Sequence, residues 1–510
     1  MASTEPQGNT AKWFTPTRLL GLFCVMSFLV YVDRGVMSSA AVSGAPRSDD
    51  NKGYGLQGDF DVSYASYGAL QAAFMLGLLT GAPMFSALAK TWNPFKLIGC
   101  GLGGWMVATA GCAVASNYYA FFMFRVFVGL GEASFCALAA PFIDDYAPSN
   151  KKTTWLALFY LCIPLGVAGG VMFGGAIGGS ELGWRWAFGL ESCVMVPVVV
   201  FCMVSGSIPM KGVDESVKRK RPHREVVERE RADVETDASD DRNDSTSPTK
   251  TSTKRDFQSL AKNTAFLVAL AGYILYTATI GVYAAWGPKA GYGIYSEELK
   301  TPSRSDMVLG GVTVVAGVLG TVLGGLAVDL AKGGVLVAIS VCAGSGLAAF
   351  LTLECAFNVN FFEYFLVLFT VGQIFAFGVQ APVNAVVLRS VKLHERPLAC
   401  ALVTVFIHLL GDVPTPPLFG VLLEHIAGDR DKSQPSPDDW RLALTLFTLL
   451  LALSAGVWGV GAAGIRRLNT YTEFDVLESD RLEQEEHDSE HLEEDASVPF
   501  LGEGGETNDS

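Results

Sequence analysis

The chain has 510 residues, half of them apolar, with 55 glycines and only 17% charged. That composition argues against a soluble multidomain enzyme and for a polytopic membrane protein. The formal charge of −14 belongs to the C-terminal stretch, where residues 471–510 carry 15 acids and one Arg while the remainder balances at 36 of each sign. Ten cysteines lie in apolar stretches without a C-x-x-C, so neither a disulfide framework nor a zinc site is expected. Residues 1–15 are polar and unlike a signal peptide.

Apolar segments of about 20 residues, enough to span a bilayer, occur near 17–43, 65–89, 95–116, 118–143, 153–179 and 186–208. Six more follow near 264–287, 306–331, 333–355, 361–388, 397–425 and 440–465. The expected organisation is an N-terminal segment (1–16), a six-helix bundle (17–209), a polar linker (210–262), a second six-helix bundle (263–466) and an acidic tail (467–510). The linker holds 13 Lys/Arg among Ser, Thr and Pro and has no apolar pattern, so it reads as a flexible tether. Its basic run Lys218-Arg219-Lys220-Arg221 places both termini in the cytosol. Loop cations on the opposite side, Lys289 among them, make the short-loop bias modest.

The first span carries Tyr31-Val32-Asp33-Arg34-Gly35, an acid and a base side by side at membrane depth. Ionisable residues there are costly, so they are functional candidates that need a partner. The fourth span offers Arg125, Gly129 and Glu132. Positions seven apart lie within about 20° of one face, so these three form one stripe, with Gly129 leaving room for a neighbouring helix. Asp33, Glu132, Arg34 and Arg125 would be near-neutral together. Protonating one acid would unbalance the set, as proton coupling to a conformational change requires. The competing readings are a structural ion pair that fixes helix packing, or Arg34 or Arg125 holding an anionic substrate group.

Gly166, Gly170, Gly174 and Gly178 on the fifth span form a small-residue seam, expected against a moving neighbour. The seventh span offers Tyr273, Tyr276 and Thr277 as a cavity wall, with Tyr283 and Trp286 explained equally well as interfacial anchors. Gln373, Gln380 and Asn384 make a polar stripe on the tenth span. On the eleventh, Thr404, His408 and Asp412 precede Pro414, Pro416 and Pro417, which predict a kink. His408 and Asp412 at i, i+4 could exchange a proton or simply satisfy one another. No nucleotide-hydrolysis or hydrolase motif is present, so no enzyme activity, cofactor or metal is expected.

Two six-helix halves around a charged linker suggest the major facilitator architecture: all-α, twelve transmembrane helices in two bundles. Gly324-Gly325-Leu326-Ala327-Val328-Asp329 resembles that superfamily's loop signature, with Asp329 as a loop gate capping a helix N-terminus. The stretch after span two keeps Lys90 and Lys96 but lacks the acid. More specifically, several motifs resemble spinster-type transporters. These are Tyr31-Val-Asp33-Arg34-Gly35, Arg125-x3-Gly129-x-Gly131-Glu132-Ala133-Ser134, Trp184-Arg185-x-Ala187-Phe188, Pro382-x-Asn384 and His408-x2-Gly411-Asp412-x-Pro414. The Asn93-Pro94-Phe95 loop is most similar to plant-type members. The resemblance implies export of lysophospholipid or sphingolipid-type amphiphiles with proton coupling. It also implies Asp33 and Glu132 as the protonatable pair and Arg34 and Arg125 as their partners or the headgroup contact. Partners are then a lipid or amphipathic substrate and protons, with no nucleic acid, in a monomer of the endolysosomal or plasma membrane. A sugar or organic-anion facilitator and a non-transporting receptor or scaffold are the rival readings.

Overall fold

The computed structural model describes residues 14–47, 53–89, 91–148, 152–206, 208, 255, 257–331, 334–392, 395–428 and 435–468. The acidic tail and nearly all of the linker, with their expected roles, lie outside the described residues, as does Lys90. Twelve helical passes are long and apolar enough to cross a membrane. In the first half they are α1 (Pro16–Val42), α2 (Tyr64–Leu88), α3 (Pro94–Val114), α4 (Tyr118–Tyr146), α5 (Lys152–Gly178) and α6 (Trp184–Val204). In the second they are α7 (Thr264–Ile294), α8 (Pro302–Leu330), α9 (Val335–Asn358), α10 (Phe362–Phe377 with Gln380–Arg389), α11 (Arg396–Phe406 through Thr415–Ala427) and α12 (Pro437–Leu468). Among the described residues the only β-type pairing is a single bridge, Ala45 to Tyr54.

Local chemistry sets many of the starts. Thr15, Ser63, Asn93, Asn117, Asn263 and Thr301 each accept a backbone N–H at the first turn of the helix that follows. Pro16, Pro94 and Pro302 sit where a missing N–H costs nothing. Between caps, apolar side chains point outward as well as inward. Val107, Val114, Val204 and Val460 are all strongly exposed, as a lipid-facing surface requires.

The two halves repeat one packing plan. α1 packs on α5, α2 on α4 and α3 on α6, while α7 packs on α11, α8 on α10 and α9 on α12. Close backbone approach makes this possible beside the charged run, where a Cβ on Gly35 would collide with the Val167 carbonyl and one on Gly170 with that of Val32. The seam Gly166, Gly170, Gly174 and Gly178 therefore faces α1 of its own bundle. It is the next face, Gly175 and Gly179, that meets Asp306 and Ser303 of the other half. The expected moving neighbour is thus α8, reached by a different set of glycines.

Across the halves α2 packs on α11, α5 on α8 and α1 on α7. Among the described residues, these hydrogen bonds join the halves at the end opposite the described termini. Ser39 Oγ donates to Asp306 Oδ2 (2.7 Å), Ser38 Oγ to the Ala284 carbonyl (2.9 Å) and Ser303 Oγ to the Gly175 carbonyl (2.6 Å). Lys289 Nζ donates to the carbonyls of Ala41 (2.8 Å) and Gly44 and to Gln57 Oε1 (3.2 Å). Glu424 Oε1 accepts from the Ala65 N–H (2.8 Å). Lys289 is therefore no loop cation. α7 runs on to Ile294 and buries it to 7% exposure. Trp286 is fully buried in the same closure, its indole N–H on the Pro416 carbonyl (3.0 Å) and its ring near Tyr64 and Tyr67, so it is not an interfacial anchor. Tyr283 is likewise tied inward, 2.6 Å from Thr448 Oγ1.

Candidate functional site

Gly129 lets α2 and α4 cross almost in backbone contact, since a Cβ there would strike the Phe74 carbonyl, and beside this crossing the charged run of α1 meets the stripe of α4. Arg125 Nη1 donates to both oxygens of Asp33 (2.7 and 2.8 Å), with both side chains sealed from solvent. Arg34 Nη2 donates to Glu132 Oε1 (2.8 Å), and here the Arg34 side chain keeps 23% of its surface exposed. The guanidinium of Arg34 lies over the rings of Tyr31 (4.5 Å) and Phe74 (4.8 Å), while Arg125 approaches the same Phe74 ring (5.3 Å). One aromatic ring thus serves two cations that would otherwise repel, and such contacts each stabilise by about 0.5–2 kcal/mol.

The two pairs are unequal. Asp33–Arg125 is an internal tie, because neither member reaches solvent. Arg34–Glu132 is less enclosed, because the Arg34 side chain keeps part of its surface in solvent while its guanidinium lies against Tyr31 and Phe74. Glu132 keeps a spare oxygen, Oε2, buried without a hydrogen-bond partner, and its Oε1 also lies 3.7 Å from the Cys136 thiol. Of the two arginine side chains only that of Arg34 reaches solvent.

The polar residues of the second half divide. The Tyr273 hydroxyl meets the Asn384 amide, and Tyr276, buried beside Trp458, points toward Gln380. Asn384 is exposed, its amide otherwise donating to the Gln380 carbonyl (2.8 Å). Gln373 is separated from these two by a break at Gly378 and Val379, so the expected single stripe is two sets on two helix segments. Gln373 lines a separate pocket of about 490 Å³, counting the space at its mouth, among Tyr283, Leu309, Phe369 and Phe377. Thr277 lies against Gly411, and Thr404 is exposed with its hydroxyl returned to the Cys400 carbonyl (2.9 Å).

His408 Nδ1 lies 3.0 Å from both oxygens of Asp412. The pair occupies a π-helical turn, Ile407–Asp412, rather than a regular helix. The expected proline kink is resolved by this wider turn, since Pro414 caps the following segment and Pro416 and Pro417 occupy its first turn. Asp329 departs from expectation. α8 continues through the loop signature to Leu330, leaving Asp329 exposed in its last turn, and the N-cap of α9 is Gly334, without a side-chain cap. Lys96 does have a capping role, donating to the carbonyl of Cys202 (3.2 Å) and to that of Ser205 at the end of α6. Arg185 does the same at the end of α3, on the carbonyls of Ala113 (3.1 Å) and Ala115 (2.6 Å).

A family model described as the Major Facilitator Superfamily matches residues 23–353, and one described as the Organic Anion Transporter Polypeptide family matches 352–426. A relative from Arabidopsis thaliana, the probable sphingolipid transporter spinster homolog 1, is 38% identical over 501 residues, covering 95% of this chain and 96% of the relative. This chain is a spinster-family member of the major facilitator superfamily. The spinster chain is also 23% identical to the zebrafish sphingosine-1-phosphate transporter SPNS2, over 86% of its own length and 81% of that relative. A crystal structure of a bacterial homolog of the human lysosomal transporter spinster, inward-facing and unoccupied, shares its fold. That match has a TM-score of 0.70 at 14% identity and covers 88% of this chain and 97% of that one. The spinster chain is therefore a multi-pass membrane transporter of plant type.

Asp306 and Glu191 are buried acids within the spans, outside the charged set of α1 and α4. Hydropathy starts a span at Asp306, yet Thr301-Pro302 is a cap-and-proline signal that moves the helix start back and puts Asp306 inside it. Glu191 is a lone acid in the apolar run of α6, 4% exposed. The rule that singled out Asp33 would have found it.

Proposed function

We propose that this transporter carries zwitterionic or anionic single-chain lipids, of the lysophospholipid or sphingolipid type, by alternating access coupled to protons. The observation that carries the reading is Arg34, a partly exposed cation paired to the buried carboxylate of Glu132. A phosphate headgroup that reaches this guanidinium competes with Glu132 for its N–H donors. Glu132 would then be a buried carboxylate short of its partner, and proton uptake relieves that cost. Headgroup binding and proton binding thus favour one another. The apolar pocket beside Gln373 and the faces of α7 and α10 offer the second half's surface to an acyl chain.

With both termini in the cytosol, as the basic linker argues, the hydrogen-bonded end of the two halves faces away from the cytosol. Loading from the cytosolic side and release at the far side would be export. The names of the Arabidopsis and zebrafish relatives support a lipid substrate. The test is competition in proteoliposomes. Lysophosphatidylcholine and a sphingoid-base phosphate are expected to inhibit uptake of a labelled lysolipid, whereas hexoses leave it unchanged. Inhibition by hexose with no effect of the lipids would replace this reading with a sugar facilitator.

A further inference from the structure

Behind the Asp33–Arg125 pair lies a third carboxyl that the scheme above does not use. Both oxygens of Glu191 are buried without a hydrogen-bond partner among the described residues, and so is Nε of Arg125, whose Nη1 is committed to Asp33. Glu191 acts electrostatically on Arg125, Asp33 and Glu132, and on the Cys112 thiol beside Arg125. α6 is fixed against α3 next to this carboxyl, since Ser192 Oγ donates to the Met106 carbonyl (2.8 Å). A spare donor on Arg125 and two spare acceptors on Glu191 are therefore buried within the first bundle, their charges interacting.

The charged and titratable groups around Arg125 and Glu191 come from four helices. α1 supplies Asp33 and Arg34, and α4 supplies Arg125 and Glu132. α3 supplies Cys112. α2 supplies Tyr67, which interacts with Arg125 while its hydroxyl donates to the Met37 carbonyl. On α6 itself Arg185 is occupied with the end of α3. Since Arg34 serves Glu132, one guanidinium remains for two acids, Asp33 and Glu191. If both acids were ionised, the bundle interior would hold an uncompensated negative charge, which membrane interiors resist.

We propose that Glu191 is the alternate partner of Arg125, so that two carboxyls share one guanidinium and one proton. In the arrangement seen, Asp33 is the anion. In the alternate one, the proton leaves the Glu191 carboxyl and an equivalent proton is bound by Asp33, while Arg125 transfers from Asp33 to Glu191. Three groups carry one positive charge, one negative charge and one proton before and after. Asp33 can thereby be protonated without stranding Arg125. Glu191 is a positioning residue here, acting through Arg125 and away from substrate.

This inference rests on Asp33 taking up a proton, as the coupled scheme requires, and infrared difference spectroscopy separates the two. On the full-length protein in nanodiscs, the wild type is expected to show a protonated-carboxyl stretch at neutral pH. Glu191→Gln should remove that band, and Glu191→Asp should shift it. Asp33→Asn should also abolish it, because Arg125 then belongs to Glu191 alone. A band unaffected by Glu191→Gln, or one that survives Asp33→Asn, would overturn the shared-proton assignment. Failure of proton coupling would instead appear as gradient-independent lipid flux in the wild type, whatever the infrared result.

Discussion

Arg34 is where substrate and proton meet in this account, and its chemistry is specific to guanidinium. A planar cation can lie over Tyr31 and Phe74 while its edge donates to Glu132, which an ammonium does poorly. Arg34→Lys is expected to raise the KM for a lysolipid about tenfold, equivalent to about 1.4 kcal/mol of lost binding, with a smaller change in kcat. Steady-state flux in proteoliposomes measures this, and an unchanged KM would remove Arg34 from the headgroup site. The same geometry predicts that lipid binding takes up protons. Calorimetry in buffers of different ionisation enthalpy should give a positive uptake in the wild type, and Glu132→Gln should abolish it. At this scale much was legible. Asp33, Arg34, Arg125 and Glu132 stood out because charges in apolar runs are rare, and helical spacing alone put Arg125 and Glu132 on one face. Which arginine pairs with which acid was not legible, because it depends on how closely Gly35 and Gly129 let α5 and α2 approach.

The helices of the closed end are joined by charges placed on helix termini of opposite sign. Lys289 of α7 binds carbonyls at the C-terminal end of α1, and Glu424 of α11 accepts the Ala65 N–H at the N-terminal end of α2. Asp306 of α8 adds a third tie through Ser39. These fastenings hold the two halves only in the present conformation, so weakening them should shift the population toward opening at that end. Lys289→Met with Glu424→Gln is expected to lengthen the distance between spin labels at Asp61 and Glu297, both exposed at that end. Each lost charge-assisted contact should be worth about 1.5–3 kcal/mol, enough to change a minor population about tenfold or more. Pulsed electron–electron resonance in a cysteine-depleted background reads it out, and an unaltered distance distribution would show that the closure does not depend on these contacts. Sequence patterns hid this layer. Lys289 and Asp306 lie near span ends and pass for loop residues until caps and helix lengths are known. The break in α10 and the π turn of α11 are backbone adjustments inside continuous apolar runs, which hydropathy does not register.

The whole molecule was the most legible. Twelve apolar runs divided six and six gave the architecture, and the observed helices begin and end within a few residues of those runs, α7 and α8 being the longer exceptions. The repeated pairing of α1 with α5 and α7 with α11 agrees with two bundles that move as units about their shared face. The halves are chemically unlike. The first concentrates a neutral set of buried charges, while the second presents aromatic and amide groups around an apolar pocket. That division suits an amphiphile whose headgroup is read by one bundle and whose tail is accommodated by the other. The central claim is that proton binding at Glu132 and lipid movement are one process. It is tested most directly by flux of a labelled lysolipid across proteoliposomes with and without an imposed pH gradient. The wild type should respond to the gradient, whereas Glu132→Gln, inserted and folded to the same level, should transport at a rate indifferent to it or not at all. An equal response to the gradient in both proteins would contradict the account.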